Sequence, residues 1–181
     1  AEIGSLGDNV SYLRHQIKTD PIFQRAVTFT PVNYTISSHT RWASVGAITE
    51  SNCHPVDNIP QENNLAASGI IHACLNGDID NYLEIKKELQ KTGIVIQDDI
   101  STDTKIIPLQ IQKYLQEGAP VAEAFRRALN DFKGSHAISM HTNLAPGKLF
   151  LGQLGSGDLC LAVGNHRLGR PFLRPRIPLY D

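Results

Sequence analysis

Apolar residues recur every three or four positions in four stretches of the chain, which is the period of an amphipathic helix. Residues 6–17 carry the first stripe, and residues 81–92 carry the second, with Leu83 and Leu89 expected to point inward. The third helix is expected to begin at Asp103 and to end at Gly118, and the fourth covers residues 121–132. Glycine commonly ends a helix, so Gly93 is predicted to stop the second one.

Shorter apolar or β-branched runs predict strands at residues 68–75, 94–96, 134–140, 149–154 and 159–163. Residues 143–147 and 155–158 are rich in Gly, Asn, Pro and Asp and predict turns. Residues 57–67 are polar and aperiodic and are expected to form a loop, while Pro31 makes residues 27–36 a loop or an edge strand. Helices and strands do not alternate strictly, so the expected class is α+β with stacked sheets and flanking helices.

Composition adds limits to this picture. The chain has 181 residues, 41% hydrophobic and 19% charged, with a net charge of −1, which is typical of one globular domain. The near-zero net charge argues against a basic nucleic-acid-binding surface on the main part of the protein. No apolar run approaches the length of a membrane span. Three cysteines are few and odd in number, which favours a cytoplasmic protein with free thiols.

Four polar motifs follow one another along the chain. They are His39-Thr40-Arg41-Trp42-Ala43, Asn52-Cys53-His54-Pro55, Asn76-Gly77 and Ser101-Thr102-Asp103-Thr104. Each has an ordinary structural explanation by itself: Arg-Trp as a surface cation on an aromatic edge, His-Pro as a structural segment, Asn-Gly as a turn, and Thr-Asp-Thr as a helix cap. Their order and spacing together indicate a shared origin rather than four coincidences.

The ordered set resembles the class II glutamine amidotransferases, and most of all the glutaminase domain of glucosamine-fructose-6-phosphate aminotransferase. The resemblance implies a four-layer αββα sandwich of the N-terminal nucleophile hydrolase type. It also implies L-glutamine as the substrate, ammonia as the product passed to a sugar phosphate, and a sugar-phosphate isomerase domain elsewhere in the parent protein. No metal or cofactor is expected, and self-association into a homo-oligomer is left open.

Chemistry and resemblance assign the same roles to the same residues. A guanidinium binds a carboxylate through a planar fork, so Arg41 is expected to hold the glutamine α-carboxylate, with Trp42 beside the pocket. Asp103 is expected to bind the α-ammonium. Asn76 and Gly77, which follow the predicted strand at 68–75, are expected to form the oxyanion hole.

The chain departs from the family pattern at both ends. The family's nucleophile is an N-terminal cysteine, whereas this chain begins at Ala1, whose methyl group can neither attack nor serve as a base. Residues 1–20 resemble a region several tens of residues into the family's domain, so the first strand is expected to be missing. Whether the chain is itself an enzyme therefore stays open.

Two further expectations follow from these departures. Residues 1–164 are expected to form a partial amidotransferase domain of marginal stability. Residues 165–181, with four arginines, are expected to form a disordered basic tail. The alternative function is a non-catalytic glutamine-binding or interaction module that has lost the nucleophile but kept the fold.

Overall fold

The computed structural model describes residues 8–28, 35, 37, 39, 49–59, 69–155, 161–165 and 171–175. Its five α-helices are α1 (Asp8–Thr19), α2 (Pro21–Thr28), α3 (Tyr82–Lys91), α4 (Ile106–Gln116) and α5 (Val121–Asp131). Its strands are β1 (Val56–Asp57), β2 (Ile71–Ile79), β3 (Gly134–Thr142), β4 (Phe150–Leu154), β5 (Leu161–Asn165) and β6 (Pro171–Pro175). Short 3₁₀ turns occupy Glu50–Asn52 and Asp103–Lys105.

The centre of the molecule is an antiparallel sheet in the order β1-β2-β3-β4. β2 and β3 pair along their whole length, from Ile71 opposite Thr142 to Ile79 opposite Gly134. β1 covers only a short part of the other edge of β2, at His72 and Ala73. β5 and β6 form a separate antiparallel pair.

Helices α3, α4 and α5 cover one face of this sheet and form the core with it. Alternate residues of β2 and β3 supply the sheet side, in keeping with the two-residue period of a strand. The most deeply buried side chains of this core include Ile71, Ile79, Leu89, Ile106, Ile107, Ile111, Ile138 and Met140. No helix among the described residues is long and apolar enough to cross a membrane.

Most predicted elements are confirmed, because their apolar periods are long and regular. The helices predicted at 6–17, 81–92, 103–118 and 121–132 correspond to α1, α3, α4 with its preceding 3₁₀ turn, and α5. The strands predicted at 68–75, 134–140, 149–154 and 159–163 correspond to β2, β3, β4 and β5. The turn at residues 143–147 is also present.

Four expectations are wrong. Leu83 is 54% exposed, and Ile85 instead joins Leu89 in the core. Residues 94–97 form no strand. Helix α2 was not predicted, and it includes Val27 and Thr28, which were assigned to a loop or edge strand. Asp57 belongs to β1 rather than to a loop, and residues 60–68 lie outside the described residues.

The basic tail also differs from its expectation. Pro171–Pro175 forms β6 and pairs with β5, from Leu161 opposite Pro175 to Asn165 opposite Pro171. That part of residues 165–181 is therefore not disordered. The division of the chain at residue 164 remains a prediction.

Candidate functional site

The candidate site lies along the edge of β2 that β1 leaves uncovered. β3 covers one edge of β2 throughout. The backbone amides of the even-numbered residues of β2 point toward β3, and the amide of Asp80, just after the strand, continues this pattern by donating to the Lys133 carbonyl at 2.9 Å. The odd-numbered amides point to the other edge. Three of them donate to side chains there: Ile71 to Asn58 Oδ1 at 2.8 Å, Leu75 to His54 Nδ1 at 3.4 Å and Ile79 to Asp103 Oδ2 at 3.1 Å.

Gly77 lies between the last two of these amides. Its N–H points to the same edge by the alternation of the strand, and no acceptor for it is found among the described residues. The residue has φ of +102°, and a Cβ here would collide with the Ser135 carbonyl oxygen. Glycine is therefore required, and its N–H forms a donor between His54 and Asp103.

The sequence predicts that Asn76 and Gly77 follow the strand, and this is wrong. They do not form a turn either. Both are inside β2, opposite Ala137 and His136 respectively. The Asn76 side chain projects from the sheet face that is turned away from the core, and the residue is exposed. The structure therefore places an amide side chain and a backbone donor on neighbouring residues, as an oxyanion pair requires.

Asp103 is held at the end of the same edge, although the strand expected just before it is absent. The residue is only 5% exposed, and its Oδ2 accepts the Ile79 amide at 3.1 Å. Burial raises the pKa of the Asp103 carboxyl, the Ile79 hydrogen bond lowers it, and the charge of Asp78 raises it further. No Lys or Arg among the described residues forms an ion pair with Asp103. A ligand cation would relieve the cost of burying this carboxylate.

His54 joins the Asp103 turn to the strand. Its Nδ1 accepts the Leu75 amide, so in the neutral ring Nε2 carries the proton and donates to Thr104 Oγ1 at 2.7 Å. Thr104 is fully buried and lies beside Asp103, with its Oγ1 3.5 Å from Asp103 Oδ1. His54 thus contacts both β2, at Leu75, and the turn that carries Asp103, at Thr104.

Asn52 is the site residue for which sequence reasoning assigned no role. It is completely buried, and its Oδ1 accepts the amides of Ser101 at 2.8 Å and Thr102 at 2.9 Å. The signal was present in the Asn52-Cys53-His54-Pro55 motif, but the partners lie about fifty positions away, which no local pattern reveals.

Arg41 and Trp42 lie outside the described residues, so their expected roles stay predictions. His39, two positions before Arg41 in sequence, is described. Its ring stacks on His54 with centroids 4.3 Å apart, and its Nδ1 accepts the His54 amide at 3.4 Å. The motif that contains Arg41 is therefore attached to the same histidine that contacts Leu75 and Thr104.

Cys74, which lies on β2, does not supply an activated thiol at this edge. Burial raises the pKa of the Cys74 thiol, which disfavours the nucleophilic thiolate. Among the described residues no three His, Cys, Asp or Glu side chains converge on a metal-sized site.

Comparison with known proteins supports the motif-based interpretation. The chain is 35% identical over 141 residues to the glutamine–fructose-6-phosphate aminotransferase (isomerizing) of Methanothermobacter thermautotrophicus, covering 78% of this chain and 22% of the relative. It is 34% identical over 147 residues to that of Sulfurisphaera tokodaii, covering 81% of this chain and 22% of the relative. The chain thus spans less than a quarter of the length of these relatives. No model of a known protein family matches the sequence.

Solved structures confirm the fold. The glutamine phosphoribosylpyrophosphate amidotransferase of Bacillus subtilis, complexed with ADP and GMP, superposes with a TM-score of 0.54 at 21% identity, over 75% of this chain and 26% of that chain. An allosteric regulatory enzyme of purine biosynthesis gives a TM-score of 0.51 at 20% identity, over 68% and 23% of the two chains. The α+β fold is that of the N-terminal nucleophile hydrolase amidotransferases. The chain belongs to the class II glutamine amidotransferase family and is homologous to the glutamine–fructose-6-phosphate aminotransferases.

Proposed function

We propose that the β2 edge is a binding site for L-glutamine, and that the chain is part of a glutaminase domain. Its parent enzyme would release ammonia from glutamine and transfer it to fructose-6-phosphate or a related sugar phosphate, using a separate isomerase domain. The observation that carries the proposal is the Gly77 N–H, a donor without a described acceptor, beside a buried carboxylate without a described cation.

The spacing of the two groups fits glutamine. Gly77 and Ile79 are two residues apart on β2, so their amides are about 7 Å apart along the strand. The side-chain oxygen and the α-nitrogen of glutamine are five bonds apart, or about 6 Å in an extended conformation. One glutamine can therefore reach the Gly77 N–H with its amide oxygen and Asp103 with its ammonium.

Each residue has a distinct role in this proposal. Asp103 binds the α-ammonium, Arg41 binds the α-carboxylate, and Trp42 lies beside the pocket. Asn76 and Gly77 donate to the amide oxygen, on which negative charge develops when a nucleophile attacks the amide carbon. None of the described residues is proposed as that nucleophile, so binding and hydrolysis are separate questions for this chain.

Calorimetric titration with L-glutamine tests the proposal. The protein should bind, and Arg41→Ala should lose at least about tenfold in affinity, since a charge-assisted bidentate contact is removed. Arg126→Ala is the matched control, because Arg126 pairs with Glu123 at 2.7 Å on the exposed face of α5. Equal affinity in the two variants, or no binding by the unaltered protein, would contradict the proposal.

A further inference from the structure

The Asn52 side-chain amide joins the segment at residues 99–102 to its own turn. Its Oδ1 accepts two amides, those of Ser101 and Thr102, at 2.8 and 2.9 Å, and the Ser101 hydroxyl at 3.4 Å. Its Nδ2 donates to the Asp99 carbonyl at 3.0 Å and to Thr49 Oγ1 at 2.7 Å. Both the donor end and the acceptor end of the amide are therefore engaged.

The two amides held by Asn52 immediately precede Asp103. Thr102 is the N-cap of the 3₁₀ turn that begins at Asp103, and its extended backbone sets the direction of that turn. The Asp103 carboxylate, at the start of this turn, accepts the Ile79 amide at 3.1 Å, so a change in the direction of the turn would move the carboxylate relative to Ile79. A fully buried amide that fixes residues 99–102 therefore fixes the carboxylate as well.

We propose that Asn52 is a positioning residue for the α-ammonium end of the glutamine site, acting through the backbone of Ser101 and Thr102 on the Asp103 carboxylate. The proposal rests on the proposed glutamine site and deepens it. Gly77 is placed by the β2–β3 pairing instead. Asn52 therefore controls recognition of the ammonium and leaves recognition of the side-chain amide unchanged.

Two ligands separate these contributions. L-Glutamine offers both the amide and the ammonium, whereas glutaramate, which is glutamine without its α-amino group, offers the amide and carboxylate alone. The quantity to measure is the ratio of the two dissociation constants in the full chain. Asp103→Asn should reduce the preference for L-glutamine by at least about tenfold, since it removes a charge-assisted contact.

Asn52→Ala should reduce the same preference by about tenfold and leave glutaramate binding within about twofold. Asn58→Ala is the matched control. Asn58 is equally buried, at 2% exposure, and accepts the Ile71 amide at 2.8 Å at the far end of the same strand edge. It should leave the preference unchanged. An unchanged preference in Asn52→Ala, or an equal loss in both Asn variants, would overturn the positioning role.

A second readout does not depend on the ligand. The Ile79 amide proton reports its hydrogen bond to Asp103, so its NMR resonance in Asn52→Ala should move toward its position in Asp103→Asn. A protein that binds neither ligand overturns the proposed function, and the effect of Asn52 on Asp103 is then decided by this resonance alone. An Ile79 resonance that stays in place in Asn52→Ala contradicts the positioning role.

Asn52→Ala leaves the amides of exposed Ser101 and buried Thr102 without their side-chain acceptor, so among these variants it is the one most at risk of not folding. If Asn52→Ala does not fold, Thr49→Val is measured in its place. Thr49 is exposed, and its hydroxyl accepts from Asn52 Nδ2 at 2.7 Å. The Val variant removes this contact, which helps to orient the Asn52 side chain, and keeps Asn52 Oδ1 as the acceptor of the Ser101 and Thr102 amides. The preference for L-glutamine should fall in the same direction by about threefold, and no change would overturn the role.

Discussion

The backbone amide of Ile79 donates to the Asp103 carboxylate at 3.1 Å across 24 positions of sequence, and this contact joins the end of β2 to the 3₁₀ turn that precedes α4. It places a buried carboxylate two residues along the strand from the Gly77 N–H. The proposed donor to the developing oxyanion and the proposed acceptor for the ammonium thus lie on one strand edge.

Asp103→Asn should stabilise the protein while weakening glutamine binding. The pKa of Asp103 is raised by burial, so the folded state holds the proton more tightly than the unfolded state. As pH rises through the unfolded and then the folded pKa, the protein loses stability, and the full cost is present above the folded value. A neutral Asn avoids this cost.

Urea denaturation of the unaltered protein and Asp103→Asn at neutral and acidic pH measures this effect. The stability advantage of the variant should be present at neutral pH and shrink as the pH falls. A variant less stable than the unaltered protein at neutral pH would show that the carboxylate is a structural group rather than a functional one that is costly to bury.

Gly77→Ala should destabilise the protein severely. Its φ of +102° disfavours any side chain, and the added Cβ meets the Ser135 carbonyl oxygen, a backbone atom that cannot turn away. The expected loss in the free energy of unfolding is about 3 kcal/mol. Gly118→Ala is the control, because Gly118 has φ of +89° with no atom within 4 Å of the added Cβ. That variant should lose only about 1 kcal/mol, and equal losses would contradict the close β2–β3 approach at Gly77.

His136 should make the protein sensitive to mild acid. It is fully buried opposite Gly77, its ring nitrogens have no hydrogen-bond partner in the described part of the chain, and the Phe132 ring packs against it in a T-shaped arrangement. Burial lowers the pKa of His136 below its ordinary value of 6.5, against the opposing charge of Asp80. The unfolded state therefore binds the proton first as pH falls, and stability declines below that ordinary value by up to about 1.4 kcal/mol per pH unit.

Denaturation between pH 7.5 and 5.5 checks this prediction. His136→Phe should flatten the decline. The pKa of His141 is also lowered, by burial and by the charge of its stacking neighbour His72. His141→Phe therefore measures the part of the pH-dependent loss of stability that remains in His136→Phe. A decline that is identical in His136→Phe and in the unaltered protein would contradict the buried neutral imidazole.

The apolar period predicted the three helices of the core and the four strands β2 to β5 because long regular patterns leave few alternatives. It failed where the pattern was short. Leu83 and Leu89 are six positions apart, which is not a helical repeat, whereas Ile85 and Leu89 are four apart and share the buried face. Residues 94–96 have strand propensity, but only Ile96 is buried and no described strand pairs with them.

The sequence named candidate site residues, but it did not predict the geometry in which the structure holds them. Asn-Gly is a turn signal, and its position inside β2 depends on the partner strand β3. The clamp of Asn52 on Ser101 and the contact of His54 with Thr104 join residues that are 49 and 50 positions apart. Such contacts arise only when the sheet and helices are assembled, so no local propensity contains them.

An NMR titration that follows the amide resonances of β2 as L-glutamine is added tests the proposed glutamine site most directly. The Gly77 amide should shift downfield as it donates to the glutamine side-chain oxygen, Ile79 should shift with it through Asp103, and Ile71 at the far end of the strand should not move. Saturation of the protein with L-glutamine while the Gly77 resonance stays in place would exclude the Gly77 amide as the donor to the bound ligand.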